Sequence, residues 1–152
     1  VFVKFAAHIA RGGTLEVIGK TISDIKPIKN ITPFISAKNH QLMGHVIYID
    51  RYDNVITNIK KSFFESIQKN RRFEILARNH KFTKIYKRYS DIVNFKIPIK
   101  KRNDEGRGMV VFNSSDYLEI AMYKSNKATI GGASTLMGLD MMDSVTIQFF
   151  DD

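Results

Sequence analysis

Two short segments concentrate the side chains able to bind a ligand or do chemistry. Residues 50–54 read Asp-Arg-Tyr-Asp-Asn, and residues 113–116 read Asn-Ser-Ser-Asp. Each is dense in hydrogen-bonding groups and each lies between apolar runs. A hairpin closes on Asn-Gly with far less chemistry. By composition alone both read as Asx and Ser turns whose side chains satisfy their own backbone, and a ligand reading needs more than polarity. Signatures of common catalysis are missing: the chain has no HExxH, GxSxG, GxxxxGK[ST] or CxxC. Its histidines, His8, His40, His45 and His80, lack the spacing of metal ligands on one helix or strand, so no metal site is expected. His8 is assigned to a helix surface and His45 to a strand face.

The elements that must hold these turns are mostly strands. β-branched and aromatic runs at residues 45–49, 55–59, 73–77, 82–86, 109–112, 117–123 and 145–150, separated by polar turns, predict a mostly antiparallel sheet or barrel. Phe63, Phe64 and Ile67 share one face of residues 60–70, which suits a short helix across one end of that barrel. Residues 94–108, with a proline, a charge cluster and two glycines, read as an exposed loop. The chain begins at Val1 within an amphipathic helix (Phe2, Phe5, Ala6, Ile9) stopped by Gly12-Gly13. The expected organisation is therefore residues 1–13 as the terminal helix of a truncated N-terminal α/β domain, 14–41 as a linker with Lys-Pro and Thr-Pro steps, and 42–152 as a β-barrel-like domain.

Bulk composition agrees with one globular core: 152 residues, 43% hydrophobic and 26% charged. The absence of cysteine excludes a disulfide framework and a thiolate metal site, and is compatible with a reducing cytoplasm. No apolar run approaches the roughly 20 residues of a membrane span, and the stretch VFVKFAAHIARGG reads as too short and too mixed for a signal peptide with its cleavage site. A soluble, cytoplasmic protein is expected. The net charge of +9 is concentrated, because residues 60–102 carry 14 Lys and Arg against three acids. Such a block is commonly a solvated face, but Phe63, Phe64, Phe73, Phe82, Tyr86 and Tyr89 interleave with it, which keeps single-stranded nucleic acid open as a ligand.

The two polar turns, in their flanking context, carry a resemblance. IDRYDNVITNI and FNSSDYLEIAMYKSNKA resemble the C-terminal domain of the S-adenosyl-L-methionine (SAM) hydroxide adenosyltransferases, the family that also contains the SAM-dependent chlorinases and fluorinases. VFVKFAAHIARGG is similar to the helix ending that family's N-terminal domain, Arg88-Tyr89-Ser90-Asp91 to its aromatic-x-Asp element, and SVTIQF to its closing strand. The resemblance implies an enzyme in which water or hydroxide attacks the ribose C5′ of SAM and methionine leaves. The protein's share of such chemistry is positioning and desolvation.

Carried over by position, the resemblance assigns Asp50 to the methionine ammonium and Ser114, with the Ser115 backbone, to its carboxylate. Asn54 would read the adenine edge, Tyr52 and Tyr89 would sandwich the purine, and the chain around residues 122–124 would offer backbone groups to the base. SAM is the implied substrate, with no separate cofactor. No catalytic residue is expected in this chain, because the family's ribose-binding aspartate and water-orienting groups belong to its N-terminal domain. In the family the site forms between subunits of a homotrimer, so the chain by itself is expected to be inactive. Two departures stand out: Asp53 and Asp116 occupy positions where the family has glycine, and Ile56 stands where halogenating members have tryptophan. The alternatives are a small basic β-barrel that binds single-stranded nucleic acid, and a relative that has lost catalysis.

Overall fold

Alternating apolar side chains and β-branched runs produce strands from Gln41 onward, and these strands pair antiparallel, some with sequence neighbours and some across long stretches of chain. The computed structural model describes residues 1–26, 31–36, 38 and 40–151. The chain divides into two units, residues 1–30 and 31–152. In the first, helix α1 (Phe2–Ala10) buries none of its own residues. It ends where Gly12 adopts a φ of +80°, the Gly12 N–H donating to the Ile9 carbonyl at 3.0 Å. His8 stays at the surface of this unit, with its Nε2 3.0 Å from the Thr14 carbonyl. Among the described residues no helix is long and apolar enough to cross a membrane.

The second unit contains β1 (Phe34–Ile35), β2 (Gln41–Ile49), β3 (Val55–Lys60), β4 (Arg72–Ala77), β5 (His80–Phe82), β6 (Gly108–Phe112), β7 (Tyr117–Met122) and β8 (Ser144–Phe150). They form one antiparallel sheet in the order β5-β4-β8-β2-β3-β7-β6, with β1 added beside β2. The two ends of that order nearly meet. The Tyr86 N–H donates to the Val110 carbonyl at 2.8 Å, in an isolated parallel bridge that brings the chain after β5 against β6 and almost closes a barrel. The expected mostly antiparallel, barrel-like domain with a short N-terminal helix is what the chain forms.

That closure also corrects one strand. The run 82–86 was expected to be extended throughout, but β5 stops at Phe82, the partner of Ile75. Beyond Phe82 the chain leaves the edge of β4 to reach β6, so only Tyr86 regains a ladder hydrogen bond. Sequence alternation sees a strand there because Phe82, Ile85 and Tyr86 are half-buried apolar or aromatic residues around the exposed Thr83 and Lys84. Among the short elements the sequence does not predict are the 3-10 turn Tyr89–Ile92 and helix α3 (Ala133–Met137).

The core gathers Leu42 and Val46 from β2, Val55 and Ile59 from β3, Leu118 and Ile120 from β7, and Val145, Ile147 and Phe149 from β8. Helix α2 (Lys61–Gln68) adds Phe64 and Ile67, with Phe63 half-buried beside them. Phe64 meets Phe73 edge-on at 5.2 Å between ring centres, an arrangement that contributes about 0.5–1.5 kcal/mol beyond area burial. Gly44 is required in β2, since a Cβ there would lie 2.4 Å from Ile59 Cγ1. A smaller cluster of Ile92, Met109, Val111 and Ala121 lies apart from this core. It places a second apolar face on β6 and β7, roofed by the Tyr89–Ile92 turn.

Candidate functional site

The turn between β2 and β3 is built by its own aspartate. Asp50 Oδ1 accepts the N–H groups of Tyr52 at 2.8 Å and Asn54 at 2.9 Å, and Oδ2 accepts the Asn54 side-chain amide at 3.1 Å. The Asx-turn reading is therefore correct for the backbone. The Asn54 backbone carbonyl accepts the Asp50 N–H at 3.1 Å, whereas its side-chain oxygen Oδ1 and second amide hydrogen have no partner among the described residues, and Asp50 orients the amide plane.

Asp53 has a different task from its neighbours. It adopts a φ of +70°, the conformation that glycine takes most readily, and the residue is only 3% exposed. Its Oδ2 accepts the N–H groups of Gly132 at 3.0 Å and Thr135 at 2.9 Å, its carbonyl accepts that of Ser134 at 2.9 Å, and its Oδ1 lies 3.3 Å from Lys127 Nζ. Asp53 thus caps the start of α3 from across the fold and ties that loop to the turn. Burial pushes its carboxyl upward, but hydrogen bonds from Thr135 and Gly132 and the Lys127 ammonium outweigh it and hold the group at about 2. Gly132 is needed for this approach, because a Cβ would fall 2.5 Å from Asp53 Cβ and 2.6 Å from the Tyr52 carbonyl.

The second turn follows the same local logic. Asn113 Oδ1 accepts the N–H groups of Ser115 at 3.0 Å and Tyr117 at 3.1 Å. Asp116 takes a φ of +60°, and its carbonyl accepts the Lys61 N–H at 2.8 Å, which ties the turn to the start of α2. Asp53 and Asp116 therefore both adopt the left-handed backbone that glycine takes most readily, and both turns form. The Ser114 and Ser115 residues remain exposed.

Between these turns lies a cleft of about 940 Å³. Its floor is the outward face of β3, β6 and β7. Leu118 and Ile120 point into the barrel core, so period-two alternation turns Glu119 outward beside Ile56 and Val111. Its roof is the Tyr89–Ile92 turn, pinned below by Ile92 and at its start by Asp91, whose Oδ2 accepts the Arg88 N–H at 3.2 Å. From this turn the Tyr89 hydroxyl donates to Glu119 Oε1. Burial, that hydrogen bond and the charges of Glu119 and Asp50 all push the phenol above its ordinary value, so it stays a proton donor.

Asp50, Tyr52, Asn54, Tyr89, Ser114 and Ser115 all line this one cleft, although they come from three separate stretches of chain. Tyr52 is 72% exposed at the rim, and Tyr89 is 43% exposed under the roof. One expectation fails in part. Of the segment 122–124, Met122 reaches the cleft, whereas both backbone groups of Tyr123 are taken, its N–H by the Arg107 carbonyl at 2.9 Å and its carbonyl by the Gly106 N–H at 2.8 Å. Tyr123 and Lys124 border a different hollow, alongside Asp104 and Glu105. Tyr48, Lys87 and Glu119 line the main cleft without having been singled out from sequence. Glu119 had a legible signal, being the lone charge in the apolar run YLEIAM.

A family model for the SAM hydroxide adenosyltransferase C-terminal domain matches residues 44–146. Among solved structures, an uncharacterized conserved protein from Thermotoga maritima is similar in fold, with a TM-score of 0.66, 23% identity, and coverage of 94% of this chain and 48% of that one. A conserved hypothetical protein from Thermus thermophilus is more distant, with a TM-score of 0.51, 16% identity, and coverage of 95% and 49%. The chain thus spans about half the length of each. No curated protein matches it.

Proposed function

Because this chain belongs to the SAM hydroxide adenosyltransferase C-terminal domain family, we propose that its cleft recognises SAM as substrate and that it serves an enzyme hydrolysing SAM to adenosine and L-methionine. The observation that carries the reading is the convergence of Asp50, Tyr52, Asn54, Tyr89, Ser114 and Ser115 on one cleft. Asp50 Oδ2 offers a charge-assisted acceptor for the ammonium of the methionine moiety. The Ser114 hydroxyl and the Ser115 turn face its carboxylate. Asn54, steadied by Asp50, has one acceptor and one donor left for the amino and ring-nitrogen edge of adenine. Tyr52 and Tyr89 supply aromatic faces for the purine, each such stack contributing on the order of 1–3 kcal/mol.

In the reaction, an oxygen lone pair of water or hydroxide forms a bond to C5′ in line with the departing sulfur. The C5′–S bond breaks with its electron pair going to sulfur, the cationic sulfonium becomes a neutral thioether, and attacking water gives up a proton. The groups assigned to this chain hold the two ends of the substrate so that the attack line is defined. We assign orientation of the nucleophile to an N-terminal domain outside these residues, contributed by a neighbouring subunit of a homotrimer. Calorimetry on the protein expressed from its complete gene tests the reading. SAM or adenosine binds the wild type, and Asp50→Ala and Asn54→Ala abolish that binding; unchanged binding in both variants discards the assignment.

A second reading rests on the groove beside the cleft, which contains Lys61, Lys84 and Lys87 together with Phe73, Tyr86 and Phe112. Lys84 Nζ lies 4.5 Å from the Tyr86 ring centre. Cations alternating with aromatic faces suit a single nucleic-acid strand.

A further inference from the structure

Glu119 is a carboxylate in an unusual setting. It is 5% exposed, on the cleft floor between the apolar side chains of Ile56 and Val111. Its hydrogen-bond partner among the described residues is the Tyr89 hydroxyl, which carries no charge. None of the ion pairs among the described residues includes Glu119 or Asp50. Of the cations at the cleft, Arg88 is engaged by Asp91 at 3.2 Å, and Lys87 is exposed to solvent. A carboxylate removed from water without a cation is costly, and the cost falls when a positive charge enters the same low-dielectric space.

Asp50 is the second carboxylate of this cleft, close enough for its charge to act on the Tyr89 hydroxyl. The cleft therefore holds two acids and, at its floor, no counter-charge. SAM carries two positive charges, an ammonium and a sulfonium. With Asp50 assigned to the ammonium, we infer that Glu119 makes the cleft selective for the positively charged sulfur, so that the sulfonium substrate binds in preference to a neutral thioether of the same shape. This rests on the SAM reading above and extends it from the substrate's ends to its reacting atom. It needs no contact between Glu119 and sulfur, since in an apolar surrounding a unit charge acts over several ångströms. Selection of this kind also favours release once the reaction has removed the charge.

The test compares three ligands by calorimetry on the protein expressed from its complete gene: SAM, S-adenosyl-L-homocysteine and adenosine. The first two share the ammonium, carboxylate and adenine and differ at sulfur in charge and one methyl group. Wild type should prefer SAM over the thioether by about tenfold or more. Glu119→Gln retains an oxygen to accept from Tyr89 while removing the charge, so it should reduce that ratio by about tenfold and leave adenosine within about twofold. Tyr89→Phe, which frees Glu119 without neutralising it, should keep the ratio; a merely structural role for Glu119 would instead weaken all three ligands together. A ratio that is equal in wild type and Glu119→Gln overturns the inference while leaving the SAM reading intact. If none of the three ligands binds, the SAM reading fails and the inference falls with it. Should Glu119→Gln not fold, wild type alone decides, because equal affinity for sulfonium and thioether overturns the assignment.

Discussion

A left-handed backbone at a non-glycine residue costs on the order of 1 kcal/mol, and Asp53 accepts that cost in exchange for four polar contacts to the 127–135 loop. Its carboxylate is therefore a structural clamp beside the ligand groups of the same turn. Asp53→Ala keeps the strained backbone and leaves the Gly132 and Thr135 N–H groups unpaired, so it should destabilise by about 2–4 kcal/mol in a denaturant titration. Asp53→Gly relieves the backbone and should lose less than Asp53→Ala; an equal or larger loss would show that φ contributes nothing here. Since the folded carboxyl is held at about 2 against an ordinary 3.8, its stabilisation is complete above about pH 4 and is lost as pH falls toward 2. That share is about 2 kcal/mol, and Asp53→Asn should remove it from the acid limb of the stability profile.

The clamp matters at the level of elements because α3 is only five residues long and cannot hold itself. Its N-terminus depends on Asp53, its Ala133 and Met137 reach the core, and Gly138 ends it at a φ of +64°. The turn and the helix thus form one joint, whose closest approach is Gly132. Gly132→Ala places a methyl 2.5 Å from Asp53 Cβ, which neither backbone can absorb without moving. We expect it to lower stability by about 2 kcal/mol or more and to weaken SAM binding through displacement of Asp50 and Asn54. Thermal unfolding and calorimetry read the two effects separately, and a wild-type affinity in a stable Gly132→Ala protein would uncouple the joint from the cleft. The Tyr89–Ile92 turn is a second such element, held at one end by Asp91 and at the other by Ile92 in the outer apolar cluster.

For the molecule as a whole, the charge of +9 creates a field that favours anions, while the cleft floor favours cations. The two preferences meet at Lys87, which borders both the cleft and the neighbouring groove. The exposed lysines Lys61, Lys84 and Lys87 line the neighbouring groove, and the two acids lie within the cleft. If the groove binds a nucleic-acid strand, oligonucleotide affinity should fall steeply with salt, and neutralising Lys61, Lys84 and Lys87 should flatten that slope by about three units on a log–log plot. Oligonucleotide binding that is absent at low salt would reduce the basic segment to a solvated face. SAM binding is expected to be far less sensitive to salt, because its charges meet partly buried groups.

The sequence by itself determined the strand texture, the two polar turns and the membership that follows from IDRYDNVITNI and FNSSDYLEIA, because alternation and turn chemistry are local properties that a short window carries. Asp50 and Asn113 closing their own turns was legible for the same reason. The sequence could not say that Tyr89 and Glu119, 30 positions apart, share a hydrogen bond, since that depends on how the chain returns after β5 to close the barrel. Nor could it say that Asp53 has a partner 79 positions away in Gly132. In isolation Asp53 reads as a poor substitute for glycine; in the folded chain it is a cap. Tertiary structure decided both, because the energy of a buried carboxylate is set by what surrounds it in space, and that surrounding is assembled from segments that sequence order keeps apart.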